Sequence, residues 1–301
     1  MKVLLVGKLP PAFGPALEAL RLKHETFEDM HAAAKGLPAL GAITSSEVRV
    51  GDAELASVPG LKFVGRAAAG TDNIDFAAAK RHRVKVISIP KATAPCAAEL
   101  TMGHIVTLLR RVPEVSGRLR EGFWGKFILG EEVAGKTLGI VGLGRVGGRV
   151  ARLAQAFGMR VVACDPYIAR ERFREHRARR LELHRVLEVA DVVTLHTPLT
   201  DETRGFIGAR EIARMRRGAW LVNCARGGLV DEAALKVALD EERLTGAALD
   251  TWVGEPAPDP ALVRHPRVLG TPHVGAATVQ CKARLVEFMV REVRRFLARR
   301  R

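Results

Sequence analysis

The stretch Lys136-Thr137-Leu138-Gly139-Ile140-Val141-Gly142-Leu143-Gly144-Arg145-Val146-Gly147 constrains this chain more than any other. An apolar run ends in a glycine turn, and an amphipathic segment follows from Arg145 to Phe157. A second apolar run, Arg160 to Cys164, stops at Asp165, 21 residues after the middle glycine. Strand, Gly-x-Gly-x-x-Gly, helix, strand and acid is the order a dinucleotide fold requires. Gly142 allows the tight turn, Gly144 lets the backbone approach a pyrophosphate, and Gly147 lets helix and strand pack closely. The helix N-terminus offers free N–H groups and a positive dipole end to the anion. Asp165 is placed to accept hydrogen bonds from ribose hydroxyls and to repel a 2′-phosphate, which selects NAD over NADP. Taken alone, the motif is also compatible with an ordinary glycine-rich turn; the flanking strands, helix and acid argue against that.

A chain of 301 residues, 48% hydrophobic, has enough apolar material for two domains without disulfides or a structural metal. There is no run of 18 uncharged apolar residues, and Met1 to Val6 reads as a first strand, not as the core of a signal peptide. Cys96, Cys164, Cys224 and Cys281 are scattered, without a Cys-x-x-Cys pair, as expected of reduced thiols in the cytoplasm. The net charge of +15 fits nucleic-acid binding, steering of small anions, or an arginine-rich surface of a heat-adapted protein. Only two Asn and two Gln occur, which favours the last reading. The densest basic run, Arg170 to Arg185, is interleaved with Glu171, Glu175 and Glu182 and is expected to form a solvated, ion-paired helix face.

Apolar runs alternate with helical patterns along the whole chain, predicting an α/β protein with parallel sheets covered on both faces. Strands are expected at Val3 to Val6, Gly41 to Thr44, Leu61 to Arg66 and Val84 to Ile89, and one long helix from about Ala97 to Arg118. Further strands are expected at Asp191 to His196, Ala219 to Asn223, Gly246 to Asp250 and Val268 to Thr271, with a last helix from Val279 to Leu297. Ligands bind beyond the carboxyl ends of such strands. The loop Ala67 to Asn73 is one candidate, although Thr71, Asp72 and Asn73 are also ordinary helix caps.

Three later loops carry reactive groups. Asn223-Cys224-Ala225-Arg226-Gly227-Gly228 precedes Asp231, an expected N-cap; Asp250 to Pro256 includes Glu255; Thr271-Pro272-His273-Val274-Gly275-Ala276 includes His273. An arginine fork suits a carboxylate, a histidine moves a proton near neutrality, and a carboxylate orients it and raises its pKa. Each residue alone has a bland alternative: a surface arginine, a loop acid, a structural histidine. Together they are the groups that hydride transfer to a 2-keto acid needs.

At these residues, and at Ala97-Ala98-Glu99-Leu100-Thr101 and Ala248-Leu249-Asp250, the chain resembles the D-isomer-specific 2-hydroxyacid dehydrogenases over nearly its whole length. The resemblance implies a Rossmann-type doubly wound NAD domain, residues 95–274, inserted into a flavodoxin-like α/β substrate domain made of residues 1–94 and 275–301. It implies catalytic roles for Arg226, Glu255 and His273. It places NAD contacts at Gly142, Gly144, Arg145, Val146, Gly147, Asp165, Thr197, Cys224, Asp250 and Gly275. The substrate, a small anionic 2-hydroxy or 2-keto acid, is expected to meet Arg226 and the amides of Ala69 and Gly70. No metal is implied, and no membrane or nucleic acid partner. A homodimer through the NAD domains, contacting near Ala97 to Gly135, is.

Within the family, Ala97 to Pro166 looks most like the branch acting on 3-phosphoglycerate. That branch commonly has an arginine where this chain has Thr44-Ser45-Ser46, an Asn-rich loop where it has Lys91-Ala92-Thr93, and a basic stretch here reduced to Lys126. Reduction of glyoxylate or hydroxypyruvate is therefore the alternative. Longer members carry a regulatory domain, so serine feedback is not expected here. A corepressor that senses nucleotide is a remote reading, prompted by the tail Arg294 to Arg301 and opposed by the complete catalytic set.

Overall fold

Apolar runs bounded by turns become strands of two all-parallel sheets in the computed structural model, which describes residues 1–125 and 128–299. Lys126, Arg300 and Arg301 lie outside the described residues. The chain divides into two compact units, Met1–Ala94 with Ala276–Arg301, and Pro95–Gly275.

The first unit contains β1 (Lys2–Val6), α1 (Phe13–Glu18), β2 (Lys23–Phe27), β3 (Gly41–Thr44), α2 (Asp52–Ser57), β4 (Phe63–Arg66), α3 (Phe76–Arg81) and β5 (Lys85–Ser88). The chain's last helix, α12 (Val279–Ala298), completes it. Strand order is β2-β1-β3-β4-β5, the flavodoxin-like order. β3 and β4 are buried throughout, since helices cover both faces of a parallel sheet. β2, Lys-His-Glu-Thr-Phe, is an edge strand that hydrophobic patterning does not reveal, because its exposed positions are polar. Its register is set against β1, and Glu25 pairs with Lys2 at 2.8 Å.

At the carboxyl ends of β3 and β4 sits a fully buried guanidinium. Arg66 donates to the carbonyls of Ser45 and Val48, the latter at 2.7 Å, and to Asn73 Oδ1 at 2.8 Å. Asn73 Nδ2 in turn donates to Ser46 O and Val48 O. Asn73 is thus a loop clamp, and the helix that follows is capped by Asp75, whose side chain accepts from Ala78 N.

The second unit opens with α4 (Ala94–Leu109) and α5 (Val112–Arg120). One long helix was the expectation; the chain instead breaks where Arg111 adopts φ 50° and Pro113 enters the first turn of α5. Then come β6 (Thr137–Val141), α6 (Arg145–Ala156), β7 (Arg160–Cys164), α7 (Arg170–Glu175), β8 (Arg179–Arg180), α8 (Leu183–Val189) and β9 (Val192–Leu195). The unit ends with α9 (Ala209–Arg214), β10 (Ala219–Asn223), α10 (Glu232–Asp240), β11 (Leu244–Leu249), α11 (Pro260–Val263) and β12 (Val268–Gly270). The basic run Arg170 to Arg185 is not one helix face: a left-handed Arg177 and β8 divide it, although Arg172 does pair with Glu175.

Strand order is β12-β11-β10-β9-β6-β7-β8. The chain enters at β6, moves outward to β8, then returns and builds the other half from β9, so the order reverses between β6 and β9. The glycine turn after β6 therefore lies at the topological switch point, where such sheets bind ligands. Strand residues alternate between two apolar clusters. Leu138, Ile140, Trp220 and Val222 pack with Met102, Ile105 and Val150; Val141, Leu195, Leu221 and Leu249 pack with Val186, Leu235 and Leu239. With a core on each face, the polar groups are left to the strand ends.

Candidate active site

At the switch point the turn geometry follows from what a side chain would meet. Gly142 has φ 93°, and a Cβ there would lie 2.7 Å from His196 O; one on Gly147 would lie 2.1 Å from Gly142 O. Gly144, by contrast, has nothing within 4 Å of where its Cβ would be. Helix α6 begins there without a side-chain cap, so the first-turn amides at Arg145, Val146 and Gly147 are left for an anion. Asp165, at the end of β7, accepts from Leu143 N at 2.9 Å and Tyr167 N at 3.0 Å. Its carboxylate is thereby fixed beside the turn. Thr197 Oγ1 is buried without a protein partner among the described residues. An open glycine, uncapped amides, a fixed acid and an orphaned hydroxyl fit a dinucleotide.

The loops after β10, β11 and β12 form a second cluster in the same unit. Asn223, buried at the end of β10, accepts from Ala225 N at 3.1 Å and donates to Arg226 O at 2.7 Å, closing a turn that presents Arg226. A Cβ on Gly227 would lie 2.0 Å from the Trp252 carbonyl carbon, so only glycine lets the Arg226 loop pack on the Glu255 loop. Asp231 caps α10 as expected, accepting from Ala233 N and Ala234 N.

Beyond β11 the fully buried Asp250 gathers three donors: Thr271 Oγ1 at 2.6 Å, and Val274 N and Gly275 N at 2.8 Å each. These amides follow His273, which holds a left-handed φ of 53° that a non-glycine residue adopts only under constraint. His273 Nδ1 lies 2.7 Å from Glu255 Oε2, while Glu255 Oε1 accepts from Trp252 N at 2.7 Å. The bond to Glu255 raises the His273 pKa against the opposing effect of burial. Burial alone would raise Glu255, but the bonds to His273 and Trp252 N and the Arg226 charge outweigh it and leave its carboxyl below the ordinary value. The pair can hold a proton on an imidazole beside a charged fork, the requirement for moving a hydroxyl proton next to a bound carboxylate.

Arg226, Glu255, His273, Asp250, Gly275 and Cys224 thus come together in this unit, as do the glycine turn, Asp165 and Thr197. Ala69 and Gly70 belong to the other unit, in the loop after β4. Sequence reasoning passed over Asn223 as a turn-former, and over Glu232, which accepts from Val253 N at 2.7 Å and steadies the Glu255 loop. It also passed over Thr271 and His104. The one available signal for His104 was a polar residue on the apolar stripe Met102, Ile105, Leu108, Leu109. No group of three or more His, Cys, Asp or Glu that could hold a metal exists among the described residues. No described helix is long and apolar enough to cross a membrane.

Residues 102–275 match the model of the family "D-isomer specific 2-hydroxyacid dehydrogenase, NAD binding domain". D-3-phosphoglycerate dehydrogenase of Bacillus subtilis (strain 168) is 44% identical over 237 residues, covering 78% of this chain and 45% of the relative. The chain therefore spans less than half the length of that relative. Among solved structures, a glyoxylate reductase from Paecilomyes thermophila is 29% identical with a TM-score of 0.90, covering 98% of this chain and 94% of that one. A D-lactate dehydrogenase from Aquifex aeolicus, complexed with NAD and lactic acid, is 28% identical with a TM-score of 0.89, covering 98% and 95%.

Proposed function

Because this chain belongs to the D-isomer specific 2-hydroxyacid dehydrogenases, we propose that it is an NAD-dependent oxidoreductase acting on the CH–OH group of a small D-2-hydroxy acid. The observation that carries the reading is the His273–Glu255 pair at 2.7 Å, with the Arg226 loop packed against it through Gly227. NAD, when bound, supplies the hydride chemistry at its nicotinamide. Gly142, Gly144, Gly147 and the amides of Arg145 and Val146 hold its pyrophosphate, Asp165 its ribose, Thr197 and Cys224 further contacts, and Asp250 and Gly275 the nicotinamide end. Arg226 binds the substrate's carboxylate or carbonyl through a fork that cannot lose its charge at neutral pH. His273 takes the hydroxyl proton in oxidation and returns it in reduction, and Glu255 orients it. The amides of Ala69 and Gly70 are assigned to the substrate carboxylate, unit Met1–Ala94 with Ala276–Arg301 to substrate and unit Pro95–Gly275 to NAD.

The favoured substrate is 3-phosphoglycerate, oxidised to 3-phosphohydroxypyruvate in serine biosynthesis, a reading supported by the 44% identity to the Bacillus subtilis enzyme. Glyoxylate or hydroxypyruvate reduction is supported instead by Thr44-Ser45-Ser46, which offers no cation to a phosphate. A panel of 3-phosphohydroxypyruvate, hydroxypyruvate, glyoxylate, pyruvate and 2-ketoglutarate with NADH decides between them. No turnover of any of the five sinks the reading. We further propose a cytoplasmic homodimer through the NAD unit. Its support is the line of exposed apolar side chains Val112, Val115, Leu119, Phe123, Trp124 and Leu129, Trp124 being 90% exposed. A monomer by light scattering would overturn it. Nucleic acid is not an expected partner; salt-sensitive retention on DNA at physiological ionic strength would count against that.

A further inference from the structure

One polar side chain in the interior of the NAD unit has no part in the assignments above. His104, on α4, is buried on the stripe formed by Met102, Ile105 and Leu108, and its ring spans the ends of two strands. Nδ1 lies 3.5 Å from Cys224 Sγ, just after β10; Nε2 lies 3.3 Å from Thr271 Oγ1, just after β12. Thr271 then donates to Asp250 Oδ1 at 2.6 Å, and Asp250 holds Val274 N and Gly275 N behind His273.

The direction of this chain of bonds is fixed by proton counting. Both Asp250 oxygens already accept a backbone amide, Oδ1 from Val274 N and Oδ2 from Gly275 N, so the single Thr271 hydroxyl proton is spent on Oδ1. Thr271 can therefore only accept from His104, which puts the imidazole proton on Nε2. Nδ1 is then an acceptor, and the Cys224 thiol donates into it. Both ends stay neutral: burial pushes the Cys224 thiol up to about 12, and burial lowers His104 against the pull of the Asp250 charge.

We infer that His104 is a positioning residue: by donating from Nε2 it locks the Thr271 hydroxyl onto Asp250, and so holds the turn at Val274 and Gly275 that keeps His273 against Glu255. Without that donor, the Thr271 hydroxyl is free to rotate to another acceptor, and Asp250 Oδ1 keeps only Val274 N. The left-handed His273 then has one restraint fewer. The consequence for turnover rests on the dehydrogenase reading; the consequence for the His273 ring does not.

The test uses the whole chain and the variants His104→Met, His104→Asn and His104→Gln. Glutamine places an N–H donor where Nε2 stood, asparagine keeps only the inner acceptor, and methionine fills the space with neither. The first readout is the titration of the His273 ring followed by NMR, in a site where Glu255, Arg226 and Asp250 are the charged groups facing it. The second is NADH oxidation across the keto-acid panel. His104→Met and His104→Asn should let the His273 pKa fall toward its ordinary value and lower kcat about five- to tenfold, the kinetic equivalent of one hydrogen bond. His104→Gln should restore both. Thr271→Val should mimic His104→Met, and the double variant should lose no more than either single one. A folded His104→Met with an unmoved His273 titration overturns the inference, as does rescue by asparagine but not glutamine. If the unaltered chain reduces no keto acid, the dehydrogenase reading fails, while the ring titration still decides the role of His104.

Discussion

Each unit secures its strand-end loops with one fully buried ion, and the two ions have opposite sign. Arg66 closes β4 and collects oxygens from Ser45, Val48 and Asn73; Asp250 follows β11 and collects hydrogens from Thr271, Val274 and Gly275. A guanidinium can only donate and a carboxylate can only accept, so each fixes a different pole of the backbone around it. Around Arg66 the clamped groups are the Ser45 and Val48 carbonyls after β3 and the Asn73 side-chain oxygen just past the Ala67 to Gly70 loop, whose amides the reading assigns to an anion. Around Asp250 the clamped groups are amides, and what projects is a side chain, His273, with its partner Glu255. The difference teaches that the same device supports packing in one unit and, on the dehydrogenase reading, chemistry in the other.

The largest expected effects test the chemical half. His273→Ala and Arg226→Ala should each lower kcat/KM by about 10²- to 10⁴-fold with little change in melting temperature, the usual range for loss of a proton-transfer or anion-binding group. A histidine variant with full activity would break the contrast at once, because the Asp250 turn would then be presenting nothing that reacts. Glu255→Gln should follow the same direction more mildly, since an amide still holds Trp252 N but no longer favours imidazolium.

The next effect tests the packing half. Arg66→Met removes the charged donor to Ser45 O, Val48 O and Asn73 Oδ1, leaving, among the described residues, Val48 O only the Asn73 Nδ2 bond and Ser45 O only a long one from Val48 N. At about 1.5–3 kcal/mol for a hydrogen bond to a charged group, the variant should lose about 3 kcal/mol of stability or more. Hydrogen exchange at the β3 and β4 amides, measured in urea, reads this directly. A loss under about 1 kcal/mol would show that the loops hold without their ion.

How legible these devices were in the sequence depended on whether their cause is local. Val3 to Val6, Gly41 to Thr44 and Ala219 to Asn223 were readable as strands because burial on both faces leaves uninterrupted apolar runs. The glycine turn was readable because its requirements lie within a few residues. β2 was not, since a polar edge strand has no hydrophobic period, and the break at Arg111 hid behind apolar residues that continue across it. Arg66 was readable only as the last residue of its strand; its burial depends on loops that close over it from Ser45 and Asn73. Asp250 was reached through the family motif, and His104 not at all, because its partners lie more than 100 residues away along the chain.

Asp165 sharpens the comparison from between the two extremes. Like Asp250 it holds two backbone amides, Leu143 N and Tyr167 N, but it is only half-buried. Asp165→Ala should weaken NAD binding about tenfold, roughly 1.4 kcal/mol, through loss of the ribose contact proposed for it and a looser glycine turn. Isothermal titration with NAD and NADP reads both effects. If the alanine variant binds NAD as tightly as before, or the unaltered chain prefers NADP, the acid has no part in selection.

The smallest effect separates the His273–Glu255 pair from the Arg66 clamp by pH. The raised His273 pKa means its share of the pairing is complete below the ordinary 6.5 and lost as pH rises through the raised value. The lowered Glu255 pKa means its share is present above the ordinary 4.5 and lost as pH falls through the lowered value. Both shares are therefore whole between about 4.5 and 6.5. Arg66, brought down by burial to about 10, keeps its charge across that window and well above it. Hydrogen exchange corrected for intrinsic rate should show the Trp252 amide, which donates to Glu255, losing protection on either side of the window. The Ala67 amide, which donates to Thr44 O beside the Arg66 clamp, should stay flat from acid to mildly alkaline pH. Parallel drift of the two amides would mean that the whole molecule loosens together, and that the Glu255 loop responds to protons no more than the Arg66 clamp does.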